Sequence, residues 1–127
     1  MKIRTAFTAA ALLALAAACA TVVEIPGDMP PNKLIQKAQE ATDINKYKVA
    51  LQYYGALLER HGDSAEYLAT GEYEIAFIHY KQRKYALAQD EFESLLARYS
   101  VPGGDPLPPR FKLLTEKVLA RLTELGY

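Results

Sequence analysis

The chain has 127 residues, half of them hydrophobic, with 15 Lys/Arg against 15 Asp/Glu, two His, one Cys and no Trp. That is room for one modest domain. A lone cysteine excludes an internal disulfide, the scattered histidines form no zinc pattern, and the balanced charge lacks the concentrated positive field of a protein that grips nucleic-acid backbones. No cofactor, no metal and no nucleic-acid partner are therefore expected.

Lys2 and Arg4 precede the uncharged run TAFTAAALLALAAACATVV, Thr5 to Val23. Basic, then apolar, then small is the order of an export signal, expected over residues 1–18. The run is also long enough to cross a bilayer, which takes about 17–25 residues. Ala and Thr, however, bring little transfer energy compared with Leu, Ile, Val and Phe. A processed signal is the expectation, ahead of an uncleaved anchor or a buried helix. Cys19, in LALAAACAT, resembles the lipid-modified cysteine of bacterial lipoproteins, although Ala16 stands where that family usually has Leu, and Leu15 lies one residue further back. The resemblance implies acyl chains on Cys19, each buried CH₂ contributing about 0.8 kcal/mol of membrane affinity. It places the protein in the bacterial envelope, at the outer membrane facing the periplasm. Ordinary cleavage at Ala18 or Ala20 is the alternative.

Residues 19–31 then read as the lipid-attachment cysteine and a flexible linker, because three prolines and a glycine in TVVEIPGDMPP favour an extended spacer. The folded body is expected over residues 32–127. Asn32 is a candidate N-cap for the helix KLIQKAQEAT. A turn at Asp43–Lys46 leads to a second helix ending near His61, and Gly62 suits the positive-φ position beyond a helix end. Asp63 with Glu66 has the spacing of a capping box, with Ser64 as the alternative cap, for a third helix reaching about Gln82. The fourth helix runs from Lys84 to about Tyr99. The connector SVPGGDPLPP interrupts helix before a fifth one from about Pro109 to Leu125, with Phe111, Leu114, Val118, Leu122 and Leu125 as its apolar stripe.

YKVALQYYGALLERH, Tyr47 to His61, and YALAQDEFESLLARY, Tyr85 to Tyr99, share one grammar at an offset of 38 residues. Tyr47, Ala50, Tyr54, Leu57, Leu58 and His61 match Tyr85, Ala88, Phe92, Leu95, Leu96 and Tyr99. Ala38 and Ala76 stand nine residues before Tyr47 and Tyr85, so the repeat spans a helix pair. The small residues let paired backbones approach, and each hairpin leaves an apolar face that stacking and a last helix would cover.

In Tyr73, Ile75, Ala76, Tyr80, Tyr85, Ala88, Phe92 and Leu95 the second unit resembles the tetratricopeptide repeat. The first unit follows it through Ala38, Tyr47, Ala50 and Tyr54. The resemblance covers about Asn32 to Ser100. It implies an all-α fold of two helical hairpins in a short right-handed array plus a C-terminal capping helix, with Ala76 and Ala88 at the helix crossing and Phe92 in the core between helices. Departures are Lys37 at a usually apolar place, Glu72 where a large aromatic is common, Arg83 where the turn often has Gly, and a repeat stretched from roughly 34 residues. With the signal and Cys19, the chain also resembles small repeat lipoproteins of the BamD type, outer-membrane assembly factors that carry more repeats than the two seen here.

The chemistry-bearing residues make no catalytic constellation. His61 ends a helix, where a partly positive ring meets the dipole favourably, and His79 reads as a satisfied, partly buried side chain. The carboxylates cluster along solvent faces without the held geometry that acid–base work needs. Gly103-Gly104 lacks the Lys and following helix of a phosphate cradle. The stronger candidate is a surface. Tyr73, Phe77 and Tyr80 recur at helical spacing with Lys81 beside them. The repeat resemblance adds Ile35, Gln39 and Thr42 from the first unit to the same concave wall. The expected activity is binding of a peptide or partner helix, from another envelope protein or a second copy of the chain, and not bond-breaking. The alternatives are an accessory subunit or very small enzyme acting on an envelope polymer, which needs a recessed polar grouping, and a carrier of a small apolar ligand, which needs an enclosed cavity.

Overall fold

The computed structural model describes residues 21–104 and 106–127; the expected leader over residues 1–18 and Cys19 lie outside them. Five helices make up the fold: α1 (Pro31–Asp43), α2 (Tyr47–His61), α3 (Ala65–Lys81), α4 (Tyr85–Arg98) and α5 (Pro109–Glu124), with no strand among the described residues. Each helix packs on the next in the chain, and α3 also touches α5. The result is an all-α stack of helical hairpins.

The 38-residue offset is a structural repeat. Ala38, Ala50, Leu57, Ala76, Ala88, Phe92 and Leu95 are fully buried, and Tyr54 is nearly so. The two hairpin turns match as well. Asn45 and Arg83 are the described non-glycine residues with positive φ, at 58° and 60°. In each turn the following amide closes the helix with a long backbone bond, Lys46 N–H donating to Ala41 O at 2.8 Å and Lys84 N–H donating to His79 O at 2.9 Å. This is the Schellman closure usually made with glycine; Asn tolerates the left-handed conformation and Arg adopts it at a cost.

Two apolar clusters result. The first joins Leu34, Ala38 and Ala41 of α1 to Ala50, Tyr54 and Leu57 of α2, and Ile78 of α3 completes it. The second joins Ala69, Tyr73 and Ala76 of α3 to Ala88, Phe92 and Leu95 of α4 and to Phe111 and Leu122 of α5. α3 therefore serves both cores from two of its faces. Gly71 lets α2 and α3 close on each other: a Cβ there would stand 2.6 Å from a Leu58 methyl.

Several local expectations are corrected. α1 is capped from Pro30 with Pro31 at its first position, and not from Asn32. Proline suits that place because the first-turn N–H has no intrahelical partner to lose. Ser64 holds the N-cap of α3 without a side-chain hydrogen bond, so no capping box forms. Gly62 has φ −69°; its glycine is explained by space, since a Cβ would collide with the Leu58 carbonyl oxygen. On α5, Leu114 and Leu125 are exposed while Thr115 is fully buried between Phe111 and Leu122. Its hydroxyl has no partner among the described residues.

The stretch Thr21–Pro30 does not stand off as a spacer. Val23 N–H donates to Gln52 Oε1 at 2.8 Å, Gln52 Nε2 donates to Thr21 O at 2.7 Å, and Arg60 donates to Pro26 O at 2.7 Å and to Ile25 O at 3.2 Å. Ile25 and Met29 rest on the first core. The segment is a strap laid along α2, from its first turns to its last.

Candidate functional site

Tyr73, Phe77 and Tyr80 lie on one face of α3, as their spacing dictates. Tyr73 and Phe77 stack at 5.8 Å between centroids with planes 15° apart, and Phe77 and Tyr80 at 5.8 Å and 10°. Tyr80 then meets Tyr85 at 5.5 Å, which meets Tyr127 at 5.2 Å. The Lys81 ammonium stands 5.0 Å from the centroid of Phe77, within cation–π range. This is a continuous aromatic ladder running along α3 to the first turn of α4.

α5 closes one end of it. Tyr73 is 7% exposed, held between Phe92 at 5.6 Å and Phe111 at 5.3 Å. Burial first, then the Glu74 carboxylate, pushes its hydroxyl up to about 12. Phe77 and Tyr80 are half-buried and Lys81 is exposed. The ladder is thus a covered rung at Tyr73 followed by two half-open ones. Beside them Glu74 is raised above the usual carboxylate range by burial, against a smaller opposing pull from Lys81.

The residues of α1 expected on the same wall belong to the other core. Ile35 is half-buried against the first cluster, Gln39 is exposed, and the Thr42 hydroxyl donates to Ala38 O at 2.9 Å. α1 packs chiefly on α2, and α3 reaches the same cluster through Ile75 and Ile78. Tyr73, Phe77, Tyr80 and Lys81 form one contiguous surface, while Ile35 sits with Ile75 and Ile78 in the first cluster.

On the other side, α3 and α4 are tied by polar pairs. His79 Nδ1 lies 2.7 Å from Glu91 Oε2, and Arg98 grips Glu72 with two bonds of 2.8 and 2.7 Å. Glu72, at the position where the repeat resemblance expects an aromatic, fastens the hairpin by an ion pair instead. A shallow cleft there is lined by Leu58, Glu72, Ile75, Asp90, Glu91 and Ser94. The Ser94 hydroxyl donates to Asp90 O of its own helix, not to a base. No group of three or more His, Cys, Asp or Glu placed to hold a metal occurs among the described residues. None of the described helices is long and apolar enough to cross a membrane.

The chain is similar to a protein of Treponema pallidum (strain Nichols) known as "Uncharacterized protein", with 30% identity over 99 residues. The match takes in 78% of this chain and 40% of that relative, so it spans well under half of the relative's length. No family model and no solved structure matches the chain.

Proposed function

We propose that the protein is a lipid-tethered helical-repeat module of the bacterial envelope that binds a peptide or partner helix through the aromatic ladder of α3. The observation that carries this reading is the half-open pair Phe77 and Tyr80, stacked and flanked by Lys81. Aromatic side chains bring large contact area with little conformational freedom to lose, and Tyr keeps a polar edge for a backbone group of the ligand. Because Tyr73 is locked by Phe92 and Phe111, the exposed rungs are held in place before a ligand arrives, which lowers the ordering cost of association. Glu74 and Lys81 would contribute the polar specificity at its edge.

The paired alanines, the two Schellman turns and the closing α5 support assignment to a tetratricopeptide-like array of two units and a cap. The export signal and Cys19 support a place at the outer membrane facing the periplasm, as in BamD-type assembly factors. The partner is another envelope protein or a second copy of the chain.

Phe77→Asp tests the reading. It places a charge on the ladder without touching Ala76 or Ala88, so helix content should persist while crosslinking of the envelope partner at a photoreactive Tyr80 position falls at least tenfold. Lys81→Glu should weaken the same crosslink without any change in melting. Unaltered capture in both variants would remove the ladder as the binding surface; loss of helix in Phe77→Asp would make Phe77 a core residue.

A further inference from the structure

The antiparallel order of the helices brings the α1–α2 turn, the α3–α4 turn and the end of α5 to one pole of the molecule. Thr21, Asn45, Lys46, Tyr47, Lys48, Val49 and Gln82 line a common recess there, which fixes the two turns and the start of the strap side by side. Contact between Tyr85 and Tyr127 brings the last residues to the same place.

This pole has an unusual surface. Lys46, Lys48, Arg83 and Lys84 are all exposed on it. Asp43 is the exposed carboxylate of the first turn, and Glu124 is paired with Arg121. Between the charges stand exposed apolar side chains: Val22 at 83%, Ile44 at 62%, Leu87 at 44%, Leu125 at 41% and Tyr127 at 49%. A basic rim with separated apolar points is the composition of a surface that rests in the headgroup layer of a bilayer, where cations meet anionic lipid and apolar tips enter the acyl boundary. The opposite pole is mixed in charge: Glu59, Asp63 and Glu66 are exposed there, but so are Arg98, Arg110 and Lys112, and Arg110 is paired with Glu66.

The path of the strap supplies an independent argument. Thr21 is bonded to Gln52 near this pole, and two peptide units from Cys19 to Thr21 span at most about 7 Å. An anchor on Cys19 could not hold the domain at arm's length.

We infer that the turn pole formed by Lys46, Lys48, Arg83 and Lys84 docks flat on anionic membrane lipid, fixing the domain upright with the aromatic ladder running away from the membrane. This deepens the tethered reading and rests on it for orientation; the charge and apolar pattern do not depend on Cys19.

The chain lacks tryptophan, so Ile44→Trp is a clean reporter, with the exposed Leu113→Trp near the start of α5 as its control. The full chain bearing Cys19→Ser, which takes the tether out of the docking readout, is mixed with vesicles of phosphatidylcholine alone or with one-third phosphatidylglycerol, both carrying a lipid with a quencher near the headgroup. Ile44→Trp should shift to the blue and be quenched only on the anionic vesicles, and Leu113→Trp on neither. Neutralising Lys46, Arg83 and Lys84 to Ala should lower the docked-to-free ratio on the order of 100-fold, each cation near the surface contributing about fivefold. Equal quenching of the two reporters, or quenching indifferent to anionic lipid, overturns the proposal. Protection of Ile44→Trp by polyaspartate in preference to the vesicles would assign the pole to an acidic protein surface and overturns it too. The tether is scored separately, with Cys19 in place, by retention on neutral vesicles in about 1 M salt, where surface charge is screened. Loss of retention with docking intact sinks the tether and spares the pole.

Discussion

In the hairpin α1/α2 the buried Ala38, Ala50, Tyr54 and Leu57 answer Ala76, Ala88, Phe92 and Leu95 in α3/α4. The outer sides of the two hairpins are closed by different means. The first receives the strap, whose backbone is hydrogen-bonded to the side chains of Gln52 and Arg60, with only Ile25 and Met29 pressed into the core. The second receives α5, which buries Phe111 and Leu122 and is fastened at its start by the Tyr99 hydroxyl donating to Pro108 O at 2.7 Å and by the Arg110–Glu66 ion pair. A unit that buries its own interface still needs its open side satisfied, and an extended segment with polar ties serves there as well as a helix does.

The largest expected effect comes from emptying the second core. Phe92→Ala should cost about 3–5 kcal/mol, read as a drop in denaturation midpoint with unchanged slope; a loss below 1 kcal/mol would mean that α5 refills the space. The matching position in the first core is Tyr54, whose hydroxyl is buried without a partner among the described residues and is driven far above its ordinary value by burial, with Glu74 and Asp43 adding to it. Tyr54→Phe makes the first unit copy the second. It should stabilise by about 1 kcal/mol, the cost of a buried unpaired hydroxyl, and destabilisation would reveal a hydrogen bond to bound water. Smaller still is the contrast between the turns. Arg83→Gly relieves left-handed strain and should raise stability by about 0.5–1 kcal/mol, whereas Asn45→Gly should change it by only a few tenths. Equal gains in thermal melting would show that side-chain identity does not set the strain.

The repeated core was legible because alanine and large apolar residues recur at one offset on two amphipathic helices, and burial follows helical period. Three features were not. The strap depends on Gln52 and Arg60, polar residues whose targets lie 29 to 35 positions away, so nothing in their local pattern marks them. The match of Gly71 with Leu58 is a steric fit between helices that only their approach reveals. On α5 the apolar stripe holds at Phe111, Val118 and Leu122, but Leu114 and Leu125 stay exposed and Thr115, which no apolar pattern marks, is turned to the core. In the candidate site, the α3 rungs could be read from spacing, whereas the α1 residues came from a resemblance that presumes α1 beside α3.

α3 gives Ile75 and Ile78 to one core and Ala69, Tyr73 and Ala76 to the other. A wall shared in this way denies either hairpin a private melting transition, since loosening one strips a face from the helix that supports its neighbour. Heat or urea should therefore meet a single cooperative unit, and the slowest-exchanging amides should be those of α3.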